Sequence, residues 1–222
     1  MKRARFITFE GGEGVGKSTQ VERLAARLRA RGLTCLVTRE PGGSPFAERV
    51  RDLLLDQATA SRTPLAEALL FYAARADHLA ATIRPALARG AWVLCDRFSD
   101  STRAYQGAAS GVDRELLSRL ERMVIGPTRP DLTIILDLDP GVGLARATAR
   151  YETDKSGRST RRDALARDPY ESKSRLFHDR LRKAFLEIAE AEPQRCAVVA
   201  ADASVDAIEA EIWTHVTERL KA

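Results

Sequence analysis

Nine residues near the start of the chain, Gly11-Gly12-Glu13-Gly14-Val15-Gly16-Lys17-Ser18-Thr19, constrain its fold more than any other feature. They complete the pattern G-x-x-x-x-G-K-[ST] between an apolar run and a stretch of helical spacing, which is the context this pattern requires. A glycine-rich turn at such a junction points backbone N–H groups inward around an anion, and the helix N-terminus adds its positive end. The reading is a cradle for the phosphates of a nucleoside triphosphate, spanning Gly11 to Thr19. Lys17 bridges the β- and γ-phosphates, and Ser18 holds Mg²⁺, a hard ion that takes oxygen ligands. A chance glycine-rich turn is the competing reading, and the complete pattern at a strand–helix junction argues against it. A P-loop leaves the second substrate open, because switches, motors and small-molecule kinases share it.

The strand before the loop, Arg5–Glu10, is the first of five short apolar runs. The others are Thr34–Arg39, Ala91–Asp96, Leu132–Leu138 and Cys196–Ala201. Each is more continuous than alternating, which suits strands covered on both faces. Longer segments of helical spacing separate them, so the expected fold is α/β around a parallel sheet. Ser44-Pro45, Thr63-Pro64 and Asp139-Pro140 place a capping side chain before a proline, a helix-start signal, while Gly32 and Gly90 follow helix ends. Pro85 is expected to kink the segment from Pro64 to Arg89. With 222 residues and no linker rich in Pro, Gly or Ser, the chain reads as a single domain, 1–222. Residues 151–169 read as a mobile loop between two helices.

Charge narrows the partner. The net charge is +5, with 36 Lys and Arg against 31 Asp and Glu, and a basic chain can signal a nucleic-acid partner. Residues 150–183 carry eleven bases and six acids, the whole surplus, and the remainder balances at 25 against 25. A second basic face is therefore missing, and small phosphates fit better than a polymer. No apolar run reaches about 18 residues, and the start of the chain has no secretory pattern. The expectation is a cytoplasmic protein with neither membrane nor nucleic acid as partner. Cys35, Cys95 and Cys196 lie in or beside apolar stretches without metal spacing and read as buried thiols.

Three further stretches point to the second substrate. Thr38-Arg39-Glu40-Pro41-Gly42-Gly43-Ser44 leaves the second strand and leads into a helix bearing Arg51. Phe71 and Arg75 share one helix face at a spacing of four. Asp96-Arg97-Phe98 ends the third strand and precedes Ser101-Thr102-Arg103-Ala104-Tyr105-Gln106-Gly107. The carboxyl ends of strands in an open α/β sheet face the ligand crevice. An aromatic ring and an arginine on one face can stack a base and bond its edge, and Arg51 with Arg97 can clamp a phosphate. Each has a structural competitor: Phe71 as helix core, Arg97 as an ion pair with Asp96, Tyr105 as a packing ring. His78 and His178 read as solvated or satisfied helix residues, and Trp92 and Trp213 as core. Arg39, Glu40 and Asp139 stay open between structure and phosphate or metal contact.

Taken together, the P-loop, TREPGG, LLFYAARADH, DRFSDSTRAYQG, RPDLTIILDLDP and FHDRLRKAFLEIA closely resemble the bacterial thymidylate kinase family, which phosphorylates dTMP with ATP. The resemblance covers essentially the whole chain. It implies a doubly wound, five-stranded parallel sheet with helices on both faces, of the P-loop kinase type, with a mobile lid at about 151–169 and a homodimeric state. It further implies that Glu13 binds the sugar 3′-hydroxyl of dTMP, Phe71 stacks on thymine and Arg75 bonds a base carbonyl. Thr102 and Gln106 then contact the base edge, Tyr105 lies against C2′ of the sugar, and Arg51 and Arg97 hold the acceptor phosphate. Lys17, Arg97 and Asp96 form the catalytic group, with Asp96 ionised near the magnesium and Arg97.

One element departs from the family pattern. The P-loop has no basic residue before Lys17, so the arginine that neutralises the transferred phosphoryl should come from the lid. Family members commonly end the lid with Asp-Arg-aromatic-Glu, whereas this chain has Asp168-Pro169-Tyr170-Glu171. Arg167 is the nearest replacement, with Arg161 and Arg162 as rivals. Two other functions remain open at this stage: a kinase for another nucleoside monophosphate or a deoxynucleoside, and a P-loop ATPase associated with nucleic acid.

Overall fold

The computed structural model describes residues 4–56, 61–154 and 170–221. Strand β1 (Phe6–Glu10) runs into the glycine loop and helix α1 (Lys17–Ala30). Strand β2 (Cys35–Arg39) follows, then α2 (Pro45–Leu55), α3 (Pro64–His78) and α4 (Arg84–Ala88). Strand β3 (Trp92–Asp96) leads into the short α5 (Ser99–Thr102) and then α6 (Arg114–Ile125). The chain closes with β4 (Leu132–Asp137), α7 (Pro140–Asp154), α8 (Arg175–Ala191), β5 (Cys196–Ala200) and α9 (Val205–Leu220).

All five strands pair in parallel in the order β2-β3-β1-β4-β5. The chain leaves β1 toward one edge, returns through β3, and continues on the far side through β4 and β5. The carboxyl ends of β1 and β3 therefore open onto the crevice where the winding reverses, which is where an open α/β sheet binds its ligands. The five strands lie where the apolar runs predict, each trimmed by a residue at one end.

Continuous burial holds at the centre and fails at the edges. All of β1 is buried, whereas β2 is half-exposed and β5 exposes Val198 and Ala200, because an edge strand has a neighbour on one side only. Ile7 and Phe9 face a core with Leu24 and Leu28 of α1 and Trp213 and Val216 of α9. Phe6 faces the opposite layer with Val93, Leu79, Ile83 and Ile125. Thr8, on that second face, meets Thr133 of β4 through their hydroxyls at 2.8 Å. The sheet thus carries a polar seam under its active end. Cys95 and Cys196 are buried, but Cys35 lies half-exposed on edge strand β2, a correction to its expected burial.

The helix starts form as the sequence predicts. Ser44, Thr63 and Asp139 accept hydrogen bonds from the N–H groups of Ala47, Ala66 and Gly141. The break in the long third segment falls earlier than Pro85. A π-helical turn, Leu79–Ile83, separates α3 from α4 and absorbs the missing proline N–H one turn upstream. A second π turn, Arg103–Ala109, extends α5 and carries Tyr105 and Gln106. Part of the expected 151–169 loop is helical, since α7 runs through Asp154. Arg161, Arg162 and Arg167, together with Asp168 and Pro169, lie outside the described residues.

Candidate active site

The cradle is built mostly from backbone. Gly14 has φ +66°, and a Cβ there would drive into the carbonyl of Gly143 at the start of α7. Gly16, at φ +93°, precedes the first helical residue Lys17. The Lys17 ammonium donates to the carbonyls of Gly12 at 2.7 Å and Gly11 at 3.2 Å, folded over the loop that delivers it. Its burial, together with the nearby Arg97 cation, lowers its pKa to about 8. Ser18 Oγ donates to Asp96 Oδ2 at 2.7 Å, so two hard oxygen donors meet beside the cradle.

Arg97 sits just past β3 at φ +68°, a region a non-glycine residue enters at a cost. Glu10, at the end of β1, holds this turn: its carboxylate accepts from the Phe98 N–H at 2.8 Å and from Ser101 Oγ at 2.6 Å. The turn aims Arg97 at the P-loop, where it donates to the Gly11 carbonyl at 3.0 Å and to Glu13 Oε1 at 2.8 Å. The competing expectation that Arg97 pairs with Asp96 is overturned, since Asp96 takes Ser18 instead. The guanidinium also lies 5.0 Å above the Tyr105 ring, and the Tyr105 hydroxyl donates to Glu13 Oε1. Burial alone would raise the Glu13 pKa, but Arg97, Lys17 and the Tyr105 hydroxyl bring it down to about 2. Glu10 goes the other way, up to about 7, because burial and the neighbouring Asp100 disfavour its charge.

The opposite wall comes from α2, α3 and the segment after β3. Arg51, Phe71, Arg75, Thr102, Tyr105 and Gln106 line one cleft with Asp96, Arg97 and the P-loop from Glu13 to Thr19. Gly11 and Gly12 line a small cavity behind the loop instead. Arg51 donates to the Pro41 carbonyl at 3.1 Å across the cis Glu40–Pro41 bond. Arg75 is 1% exposed: Nε donates to Glu40 Oε2 at 2.7 Å, and Nη2 donates to the Phe98 carbonyl and Thr102 Oγ1. Its Nη1 has no hydrogen-bond partner among the described residues. Phe71 is half-buried at the cleft, so it is not simply helix core.

Two residues that shape the candidate site escaped the sequence reading. Tyr170 donates to Glu67 Oε2 at 2.8 Å, accepts from Gln106 Nε2 at 2.6 Å, and meets Tyr105 edge to face at 4.9 Å. It was visible only as the aromatic of the quartet ending the lid. Glu10 gave no signal beyond an acid closing an apolar strand. Of the residues left open, Glu40 lies in the Arg75 contact, Asp139 is structural, capping α7 and pairing with Arg175, and Arg39 pairs with Glu48 at the rim. His178 is buried with Nε2 unpartnered among the described residues, contrary to the expected solvated or satisfied state.

Comparison with known proteins places this geometry. Residues 9–212 match the family model described as thymidylate kinase. The chain belongs to the thymidylate kinase family. The thymidylate kinase of Caulobacter vibrioides is 54% identical over 220 residues, covering 99% of each chain. That of Nitrobacter winogradskyi is 50% identical over 218 residues, covering 98% of this chain and 90% of the relative. The crystal structure of thymidylate kinase from Ehrlichia chaffeensis superposes with a TM-score of 0.74 at 32% identity, over 97% of this chain and 99% of that one. A thymidylate kinase is a phosphotransferase, and the cleft described above holds its P-loop at one end.

Proposed function

We propose that the chain transfers the γ-phosphoryl group of ATP to dTMP, giving dTDP and ADP, in the cleft between the P-loop and α3. One observation carries this reading: a phosphate cradle and a base-sized polar wall share a single cleft, and Arg75 lines that cleft with one nitrogen unpartnered among the described residues. A buried guanidinium with a missing acceptor is costly until a ligand supplies one. Thymine offers carbonyl oxygens, and Phe71 offers a ring to stack on it.

The remaining roles follow from charge and position. Lys17 leaves the loop carbonyls and takes the donor phosphates, while the loop N–H groups hold them in place. Arg97, with Arg51, takes the acceptor phosphate and keeps it in line with the donor. Glu13, ionised between Arg97 and Tyr105, accepts from the sugar 3′-hydroxyl. Tyr105 blocks the space beside C2′, and Thr102 and Gln106 meet the base edge. The acceptor phosphate is its own nucleophile and is largely ionised near neutral pH, so no strong general base is needed.

The paired oxygens of Ser18 and Asp96 suit Mg²⁺, which prefers hard oxygen ligands and enters such sites with substrate phosphates. When bound with ATP, the ion supplies neutralisation of phosphate charge. The last positive charge is assigned to Arg167, with Arg161 and Arg162 as rivals, because nothing basic precedes Lys17 in the loop. Phe46 and Leu53 on α2, Leu65 and Leu69 on α3 and Met123 on α6 are exposed, and a second copy covering them would make the homodimer. The same reading places the protein in the cytoplasm.

One assay tests the reaction. ADP release is followed with ATP and Mg²⁺ while dTMP, dUMP, dCMP, AMP and GMP are offered separately. We expect dTMP first and dUMP slower, since a missing methyl is worth about 1–3 kcal/mol. Absence of ADP release with dTMP would refute the assignment.

A further inference from the structure

Arg75 and His78 stand one helical turn apart on α3, and each takes one oxygen of the same buried carboxylate. Arg75 Nε donates to Glu40 Oε2 at 2.7 Å, and His78 Nδ1 lies 3.0 Å from Glu40 Oε1. The other ring nitrogen, His78 Nε2, lies 2.7 Å from Thr38 Oγ1 at the end of β2. His78 is fully buried and Glu40 is 6% exposed. A carboxylate beside a guanidinium accepts, so His78 Nδ1 carries the proton and donates it.

The loop between β2 and α2 is shaped around this chain of bonds. Gly43 adopts φ +82°, and a Cβ on it would strike both His78 Nε2 and Thr38 Oγ1. Its carbonyl is in turn held by the Thr82 hydroxyl at 2.7 Å. The far end of the chain is Arg75, a residue lining the cleft, whose Nη1 is its one nitrogen without a partner among the described residues. A guanidinium plane fixed through Nε and Nη2 has one direction left in which to donate.

We infer that His78, acting through Glu40, is a positioning residue for base recognition: it fixes the carboxylate that sets the Arg75 plane, so that Nη1 meets a carbonyl of the thymine ring. This rests on the reading of Arg75 as the base-binding arginine, and the test separates the two. A merely structural role would fasten the loop to α3 and touch both substrates alike. A positioning role touches dTMP alone.

The variants are His78→Leu, His78→Asn and Thr38→Val, with Arg75→Lys as the reference. Measured on each are the thermal midpoint, the KM for dTMP and for ATP, kcat, and the preference for dTMP over dCMP, which carries an amino group where thymine has a carbonyl. We expect His78→Leu to raise the dTMP KM about tenfold, the value of one charge-assisted bond, with the ATP KM and kcat within about twofold. Its preference for dTMP over dCMP should fall as well. His78→Asn keeps a donor near the Nδ1 position and should recover most of the loss. Thr38→Val removes only the distal bond and should raise the dTMP KM about threefold; it carries the test alone should His78→Leu fail to fold. A folded His78→Leu with an unchanged dTMP KM overturns the inference; so does an unchanged KM in Thr38→Val, or a parallel loss for both substrates. If Arg75→Lys shifts dTMP KM and preference while the other variants do not, the reading of Arg75 stands and the relay falls. If Arg75→Lys shifts neither, both fall.

Discussion

The two ends of the cleft are made differently. At the donor end the P-loop offers backbone: left-handed glycines and a lysine whose ammonium rests on the loop's own carbonyls. At the acceptor end the wall is mostly side chain on side chain. Arg75 is held by Glu40, Phe98 and Thr102, Glu13 by Arg97 and Tyr105, and Gln106 by Tyr170. A backbone cradle recognises phosphate, which every nucleoside triphosphate carries, so it can be local and generic. A base and a sugar have edges that differ between nucleotides, and discriminating them takes donors fixed from several directions.

The sharpest way to break this contrast is to remove Lys17. Lys17→Ala should lower kcat by about 10³ or more, a figure within the range for losing a cation on a transferring phosphoryl group. The acceptor wall does not use Lys17 as a contact, so calorimetric binding of dTMP should persist. Turnover near the parent rate would sink the division of labour. Next in size is the charge assigned to the segment between α7 and α8. Arg167→Ala should lower kcat by about 10², with both KM values little changed. A near-normal rate there, with the loss appearing at Arg161→Ala or Arg162→Ala, would move the role to that residue.

The same contrast governs what could be read without a structure. The P-loop is contiguous, so nine residues announce both its shape and its ligand. The strands and caps were equally legible, because Ser44, Thr63 and Asp139 act on N–H groups two or three residues away. The acceptor wall assembles from α2, α3, the end of β3 and the segment before α8, up to 103 residues apart in the Tyr170–Glu67 pair. Strand ends and helix spacing could group Arg51, Phe71, Arg75 and Tyr105 as a second-substrate site, but only the resemblance to a family gave each its role. Glu10 stayed hidden, and His78 was legible only as a satisfied helix residue, because their partners are distant in sequence and their types are common on helices and at strand ends. The Arg97–Glu13 bond was not legible for a related reason: adjacency offered Asp96 as the structural competitor, whereas the left-handed turn at Arg97 swings the guanidinium toward the P-loop.

The smallest expected effect compares the two carboxylates that bracket the loop. Glu13 has its pKa lowered to about 2 against 4.5 unfolded, so it contributes stability above pH 4.5 that is lost as pH falls toward 2. Glu10 is raised from 4.5 to about 7, so between those values the native state holds a proton the unfolded state has released, and stability falls as pH rises. The cost of ionising Glu10 is on the order of 3 kcal/mol above pH 7. Gln can still accept from the Phe98 N–H and donate to Ser101, and it has no charge to bury. Glu10→Gln should therefore gain on the parent as pH rises: little difference in thermal midpoint at pH 5, and a more stable variant by about 1–2 kcal/mol at pH 8. A pH-independent difference between the two proteins would mean that Glu10 titrates alike folded and unfolded. The asymmetry across the loop would then reside in Glu13 alone, whose counter-charges Arg97 and Lys17 belong to the phosphate sites rather than to the seam beneath the sheet.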